Sequence, residues 1–307
     1  MEWPITYFEK PPLSIPEQVV LLQNRGMVVT DEDWTFLEIV SFFRLMAYWK
    51  PFERDDGNPD GPAFQDGLDF GRIRNLYLFD RKLRMLLLDG IERIEVALRA
   101  RWGNLMAEKY GPHGYLDRDC YYNRNFHERN ISELRREFKR SSEVYVNFYR
   151  ENHTFPVLPP VWMATELMSF GLLSKIIGNL KHRGDKNVLA RSFDLDMRVF
   201  TSFLHQLSTV RNFCAHHGRV WNRRFTVPFL LPNSPMKLSS GLNRDGERYL
   251  YNTLVMIKHL LGFIVFDHDD PEWKENLIQL IDGNPQIELS RMGFPADWQD
   301  REIWRLA

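Results

Sequence analysis

The most informative part of this chain is residues 200–224, FTSFLHQLSTVRNFCAHHGRVWNRR. Its apolar residues recur at steps of three and four, which places them on one face of a helix. That face comprises Phe200, Phe203, Leu204, Leu207, Val210 and Cys214. The opposite face has no carboxylate and comprises His205, Ser208, Asn212, His216 and Arg219, with Arg211 beside it. The pattern predicts a helix with one buried face and a second face of arginine, asparagine and histidine.

Acidic residues are missing from a much longer window, since none occurs between Met197 and Arg244. With 41 acidic residues in a chain of 307, a window of this length should hold roughly six. The net charge of the chain is only −1, so the positive potential is local. A local cationic region favours a phosphate site over a nonspecific nucleic-acid coat.

Composition indicates an ordinary globular protein, with 44% hydrophobic and 26% charged residues. Two cysteines, Cys120 and Cys214, make no disulfide framework and favour a reducing cytoplasm. The N-terminus, MEWPITYFEKPP, has no basic region followed by an apolar core, and the apolar run 254–266 is too short to cross a bilayer. We therefore expect a cytoplasmic protein that does not enter a membrane. No Cys pair or His-x3-His suggests a metal site, and no cofactor is expected.

The rest of the chain predicts further helices. Ser14 and Glu17 have capping-box spacing and start a helix over 16–24 that ends at Gly26. Gly, Pro and Asp mark 51–70 as a loop, and Pro and Ser make 225–245 irregular. The other helices are expected over 31–49, 79–102, 131–150, from residue 161 onward, over 248–266, and once more in a tail anchored by tryptophans. No strand is evident, so the sequence predicts an all-α fold.

At this point a family resemblance becomes specific. Residues 211–216, RNFCAH, resemble the R-polar-x3-H motif of HEPN-domain ribonucleases. The longer string RNFCAHHGRVWNRR is similar to the form of this motif in the bacterial Abi family, whose members act in abortive infection against phage. Further blocks resemble the same family: KPPLSIPEQVVLLQNRGM with FFRLMAYW, FDRKLRMLLLDGIERIEVALR, PVWMATELMSFG and MGFPADW.

The resemblance implies a HEPN-like helical bundle with an N-terminal helical extension and a C-terminal helical tail. We expect an N-terminal segment over 1–66 and a HEPN-like domain over 67–307. It also implies a bacterial ribonuclease toxin of a phage-defence or toxin–antitoxin system, restrained by an RNA or protein antitoxin. Because the motif occurs once, the resemblance further implies a homodimer whose two motif helices share one active site.

The residue types suit RNA cleavage without a metal. Histidine exchanges protons near neutral pH, and arginine offers a charged fork to two phosphate oxygens. We expect His216 to assist attack by the ribose 2′-hydroxyl, Arg211 to stabilise the charge that develops, and Asn212 to fix the imidazole or the phosphate. The product would be a 2′,3′-cyclic phosphate, so the substrate must be RNA, either tRNA or mRNA.

Several assignments have alternatives. His217 is a helper or points into the core. Glu166 orients Arg211 or has a surface or structural role. Arg81, Arg84, Glu92 and Glu95 support the site or form a solvated face. The basic and polar residues after the motif are expected to bind RNA phosphates; they are Arg219, Asn222, Arg223 and Arg224. For the whole protein the alternative is a non-catalytic RNA- or nucleotide-binding module; a transcriptional regulator would need a recognition helix that is not evident.

Overall fold

The computed structural model describes residues 11–54, 61–264 and 273–305. In that part of the chain α-helices dominate, and the strands are limited to two residues each. The all-α prediction is therefore confirmed. A HEPN-like arrangement of the helices stays a prediction.

The chain divides into two compact units, Met1–Lys82 and Leu83–Ala307. The longest helix, α4 (Phe70–Tyr110), begins in the first unit and ends in the second. It extends the predicted helix 79–102 at both ends. The expected division into residues 1–66 and 67–307 stays a prediction.

Where the structure describes the first unit, it has three short α-helices and a two-stranded ladder before α4. Ser14 starts the first helix as predicted, because its backbone N–H donates to the Glu17 carboxylate at 2.7 Å. The predicted single helix over 31–49 is wrong in its continuity. The Ser41 hydroxyl accepts the Arg44 N–H at 3.4 Å and begins a new helix there. The elements are α1 (Ile15–Asn24), α2 (Asp31–Ile39), α3 (Phe42–Trp49), β1 (Glu53–Arg54) and β2 (Ala63–Phe64), with β1 antiparallel to β2.

Among its described residues, the second unit is built from the rest of α4 and nine further α-helices. They are α5 (Arg124–Arg140), α6 (Val144–Asn152), α7 (Val161–Ala164), α8 (Phe170–Asn179), α9 (Arg183–Arg191), α10 (Met197–Ala215), α11 (Met236–Gly241), α12 (Leu250–Leu261) and α13 (Trp273–Asp282). Its core surrounds α10, which packs against α8 and α9, while α5 packs against α8. Every residue of the predicted apolar face of α10 is buried.

Two segments that the apolar pattern predicts as continuous helices are interrupted in the structure, by a backbone turn or by a serine cap. The predicted helix 131–150 is wrong only in its continuity, because an extended Ser141 separates α5 from α6. The helix predicted from residue 161 is also interrupted. A 3₁₀ turn (Thr165–Leu167) follows α7, and Ser169 caps α8 by accepting the Leu172 N–H at 3.2 Å.

The C-terminal part agrees with the sequence in its main features. The predicted helix 248–266 corresponds to α12, although 265 and 266 lie outside the described residues. The predicted irregular stretch 225–245 contains the short α11. Trp298 and Trp304 are buried and anchor the tail. No helix in the described ranges is long and apolar enough to span a bilayer.

Candidate functional site at the end of α10

The motif helix stops earlier than its periodicity predicts. His216 is the C-cap of α10, and its backbone N–H donates to the Asn212 carbonyl at 3.0 Å. His217 adopts a left-handed backbone, with φ 58°, and its N–H donates to the Cys214 carbonyl at 3.0 Å. The Gly218 N–H donates to the Phe213 carbonyl at 2.7 Å. These two bonds form a Schellman motif, in which histidine occupies the position usually held by glycine.

This ending fixes where the predicted catalytic residues lie. Arg211 and Asn212 are on the last turn of α10, and His216 follows directly after it. The helical relation between Asn212 and His216 is therefore kept. The prediction that Arg219 continues the same helical face is wrong, since the chain has left the helix by then.

The predicted catalytic side chains are at the surface of the second unit. The Arg211 side chain is 38% exposed, and Asn212, His216 and His217 are exposed. Cys214, on the same turn, is buried. The helix thus presents its arginine, asparagine and histidines to solvent, where an extended ligand can reach them.

A carboxylate from α4 faces the arginine of the motif. Arg211 Nε lies 3.9 Å from Glu95 Oε2, and the Glu95 side chain is only 11% exposed. Within the described ranges this is the single polar contact of the Arg211 side chain. The acid-free window in the sequence therefore does not produce an acid-free site, because α4 supplies the carboxylate from elsewhere in the chain.

Glu95 is itself held by a second arginine. Its Oε1 pairs with Arg99, which lies four residues further along α4, a spacing at which helical side chains of opposite charge meet. The Arg99 guanidinium also donates to the carbonyls of Thr165 at 2.9 Å, Glu166 at 3.0 Å and Met168 at 2.8 Å. Arg99 thus joins α4 to the turn between α7 and α8.

Of the two roles expected for Glu166, the pairing with Arg211 is not found, and the surface role agrees with the structure. The Glu166 side chain is 55% exposed, and its Oε2 lies 3.7 Å from Arg99 Nη1. On the 3₁₀ turn, the backbone carbonyl of Glu166 faces α4, so the carboxylate is left at the surface. Glu95 occupies the place expected for Glu166. The sequence contained a signal for this, since Glu95 lies on the buried side of a helix one turn before Arg99.

The segment after the helix folds back against it. Val220, Trp221 and Phe225 are buried. The Arg223 guanidinium lies 4.1 Å from the centre of the Phe213 ring, and its Nε donates to the Arg219 carbonyl. This fold-back brings a second cation next to the motif.

The residues expected to bind phosphate differ in their surroundings. Arg219 Nη2 donates to the Asn222 carbonyl at 3.3 Å, and both residues are half-buried. Asn222 has a left-handed backbone, with φ 49°. Arg224 is exposed. All four residues follow the helix end directly, and their role in RNA binding stays a prediction.

No group of three or more His, Cys, Asp or Glu side chains in the described ranges is arranged to hold a metal ion.

Fold and site together define an all-α protein with an exposed Arg-Asn-x3-His motif at the end of a core helix. The model of the family described as Abi-like protein matches residues 35–222, a span that ends within the segment after the motif. This match covers more than half of the chain, so the chain belongs to the Abi-like protein family. No curated protein and no solved structure matches it.

Proposed function

We propose that this protein is a metal-independent endoribonuclease of the HEPN type that acts in abortive infection. Membership of the Abi-like protein family supports the role in phage defence. The proposal depends mainly on the exposure of Arg211. Its side chain is partly exposed at a helix end, beside the exposed Asn212 and His216.

The chemistry follows from these groups. An RNA phosphate accepts N–H donors of Arg211, which stabilises the additional negative charge of the transition state. His216 takes the proton of the ribose 2′-hydroxyl as the oxygen attacks phosphorus, and the bond to the 5′-oxygen of the next nucleotide breaks. The products are a 2′,3′-cyclic phosphate and a 5′-hydroxyl end. Asn212, one helical turn before His216, orients the imidazole or the phosphate.

The leaving 5′-oxygen needs a proton from a general acid. In a homodimer whose α10 helices meet at the two-fold axis, the His216 of the other copy, in its protonated imidazolium form, can supply it. Tests of the dimer should therefore show whether both copies contribute residues to one active site, in addition to measuring the molecular mass.

The first test is cleavage of total tRNA and of mRNA in the presence of a chelator, followed by mapping of the ends. We expect 2′,3′-cyclic phosphate and 5′-hydroxyl ends. His216→Ala should lower the rate by roughly 10²- to 10⁴-fold, and Arg211→Ala by roughly 10²- to 10³-fold. His205→Ala is the matched control, because His205 is an exposed histidine on the same helix and should not be needed.

Three results would count against the proposal. Equal loss in the His205 and His216 variants would assign the effect to folding. RNA binding without cleavage would favour the alternative, a non-catalytic binding module. Cleavage that requires a divalent ion would contradict the mechanism.

The second test mixes wild-type subunits with an excess of His216→Ala subunits, refolded together. Because the proposed site needs His216 from both copies, mixed dimers should be inactive, and the rate per wild-type subunit should fall well below that of the wild-type protein alone. If the rate per wild-type subunit does not change on mixing, each copy works by itself. Light scattering on the wild-type protein should report a dimer.

A further inference from the structure

We infer that Glu95 is a positioning residue that holds the Arg211 guanidinium in the orientation needed to meet an RNA phosphate. This inference rests on the proposed function. It assigns a role to a residue of α4, outside the segment that carries the motif.

The two oxygens of the Glu95 carboxylate have separate partners. Oε1 pairs with Arg99, and Oε2 faces Arg211 Nε at 3.9 Å. Arg99 is fixed in turn by three backbone carbonyls, those of residues 165, 166 and 168. Arg211 is therefore held by a carboxylate whose own partner, Arg99, is fixed to the backbone of the turn at 165–168. It does not depend on a flexible surface side chain for its position.

The contact with Glu95 leaves the phosphate-binding edge of Arg211 available. It involves Nε, whereas the two Nη nitrogens make no hydrogen bond within the described ranges. A guanidinium has five N–H donors, and the four on the Nη atoms can meet two oxygens of one phosphate. A separation of 3.9 Å is also longer than a hydrogen bond, so Glu95 attracts the arginine without using its donors.

Burial makes this attraction effective. The Glu95 side chain is 11% exposed, and a charge in such surroundings is less screened by water and salt than a surface pair. A long arginine side chain otherwise samples many rotamers, and fixing it before the substrate arrives lowers the cost of reaching the transition state.

A purely structural role for Glu95 predicts something different. If the carboxylate served only to secure Arg99 to the turn at 165–168, its loss would weaken the fold whatever stands at position 211. A double-mutant cycle separates the two roles. The measured quantity is the single-turnover cleavage rate at saturating RNA for wild type, Glu95→Gln, Arg211→Ala and the double variant.

We expect Glu95→Gln to slow cleavage at least tenfold in the wild-type background and to have no further effect in the Arg211→Ala background. Glu92→Gln is the matched control, because Glu92 is exposed on the same helix and should keep the wild-type rate. If the fold reductions in cleavage rate caused by Glu95→Gln and Arg211→Ala multiply in the double variant, the inference is overturned. An unchanged rate in Glu95→Gln would overturn it as well. If Glu95→Gln fails to fold, Glu95→Asp keeps the charge, withdraws it by one methylene and enters the same cycle.

A second measurement does not depend on activity. In NMR spectra, the signal of the Arg211 Nε–H group is identified by its absence in Arg211→Ala. In Glu95→Gln its chemical shift should change and its order parameter should fall, whereas neither should change in Glu92→Gln. An unchanged resonance in Glu95→Gln would overturn the inference even if RNA is cleaved. A shifted resonance in a protein that does not cleave RNA would reject the ribonuclease and leave Glu95 as the residue that orients Arg211.

Discussion

Substitution of His217 by glycine should make the protein more stable, although it removes a side chain. His217 has φ 58° at the end of α10, a conformation that costs a residue other than glycine about 1–2 kcal/mol. Glycine avoids this cost but loses more freedom on folding, by about 0.5–1 kcal/mol. These two backbone contributions together favour His217→Gly by about 0.5–1 kcal/mol in the free energy of unfolding.

Two variants sharpen this prediction. His217→Val places a β-branched residue in the left-handed region and should be less stable than the wild-type protein, because β-branched residues tolerate this region least. His205→Gly places glycine inside α10, where the backbone is helical, and should lose about 0.5 kcal/mol. Urea denaturation followed by circular dichroism measures all three, and the melting temperature of His217→Gly should rise by about 1–3 °C. A destabilised His217→Gly or an unaffected His217→Val would refute this account of the helix end.

The same variant tests the predicted helper role of the His217 imidazole. Glycine keeps the Schellman bonds from residues 217 and 218 and therefore the position of His216. If the imidazole assists His216, His217→Gly should be at least tenfold slower in RNA cleavage while being more stable. An undiminished rate would mean that His217 serves the backbone turn alone.

Further predictions concern stability. Arg99→Ala should cost about 3–5 kcal/mol, because it leaves the buried Glu95 charge without its closest partner; a loss below 1 kcal/mol in urea denaturation would contradict this. Trp221→Ala should also cost about 3–5 kcal/mol, since Trp221 is fully buried next to the motif; a loss typical of a surface site would show that the segment after α10 is not anchored there. Burial lowers the pKa of His127, whose Nε2 donates to the Tyr115 carbonyl at 3.0 Å. Below the unfolded pKa of about 6.5 the unfolded chain binds a proton that the folded chain does not, so stability should fall from pH 7 to pH 5.5 by up to about 1.4 kcal/mol per pH unit. His127→Gln should reduce that slope, and an identical pH dependence in both proteins would contradict it.

Some features of this chain follow from local sequence. The capping box at Ser14 and the i,i+4 pair of Glu95 with Arg99 depend on residues within one turn of each other, so spacing alone predicts them. The buried face of α10 is likewise fixed by its period, because a helix in a core has to bury its apolar positions. The helix breaks at Ser41 and Ser169 are not predicted, because a serine within a helical pattern of apolar residues is compatible with one continuous helix. Only the structure shows that each hydroxyl caps the start of a new helix.

The all-α class and the core face of α10 follow from the amino-acid sequence, and the family match over residues 35–222 assigns the chain to the Abi-like protein family. The carboxylate beside Arg211, in contrast, is known only from the three-dimensional structure. Glu95 and Arg211 are far apart along the chain, and they meet at 3.9 Å because α4 and α10 are brought together in the second unit. Charge along a sequence reports local composition, whereas the potential at a site sums over everything that folding brings near it.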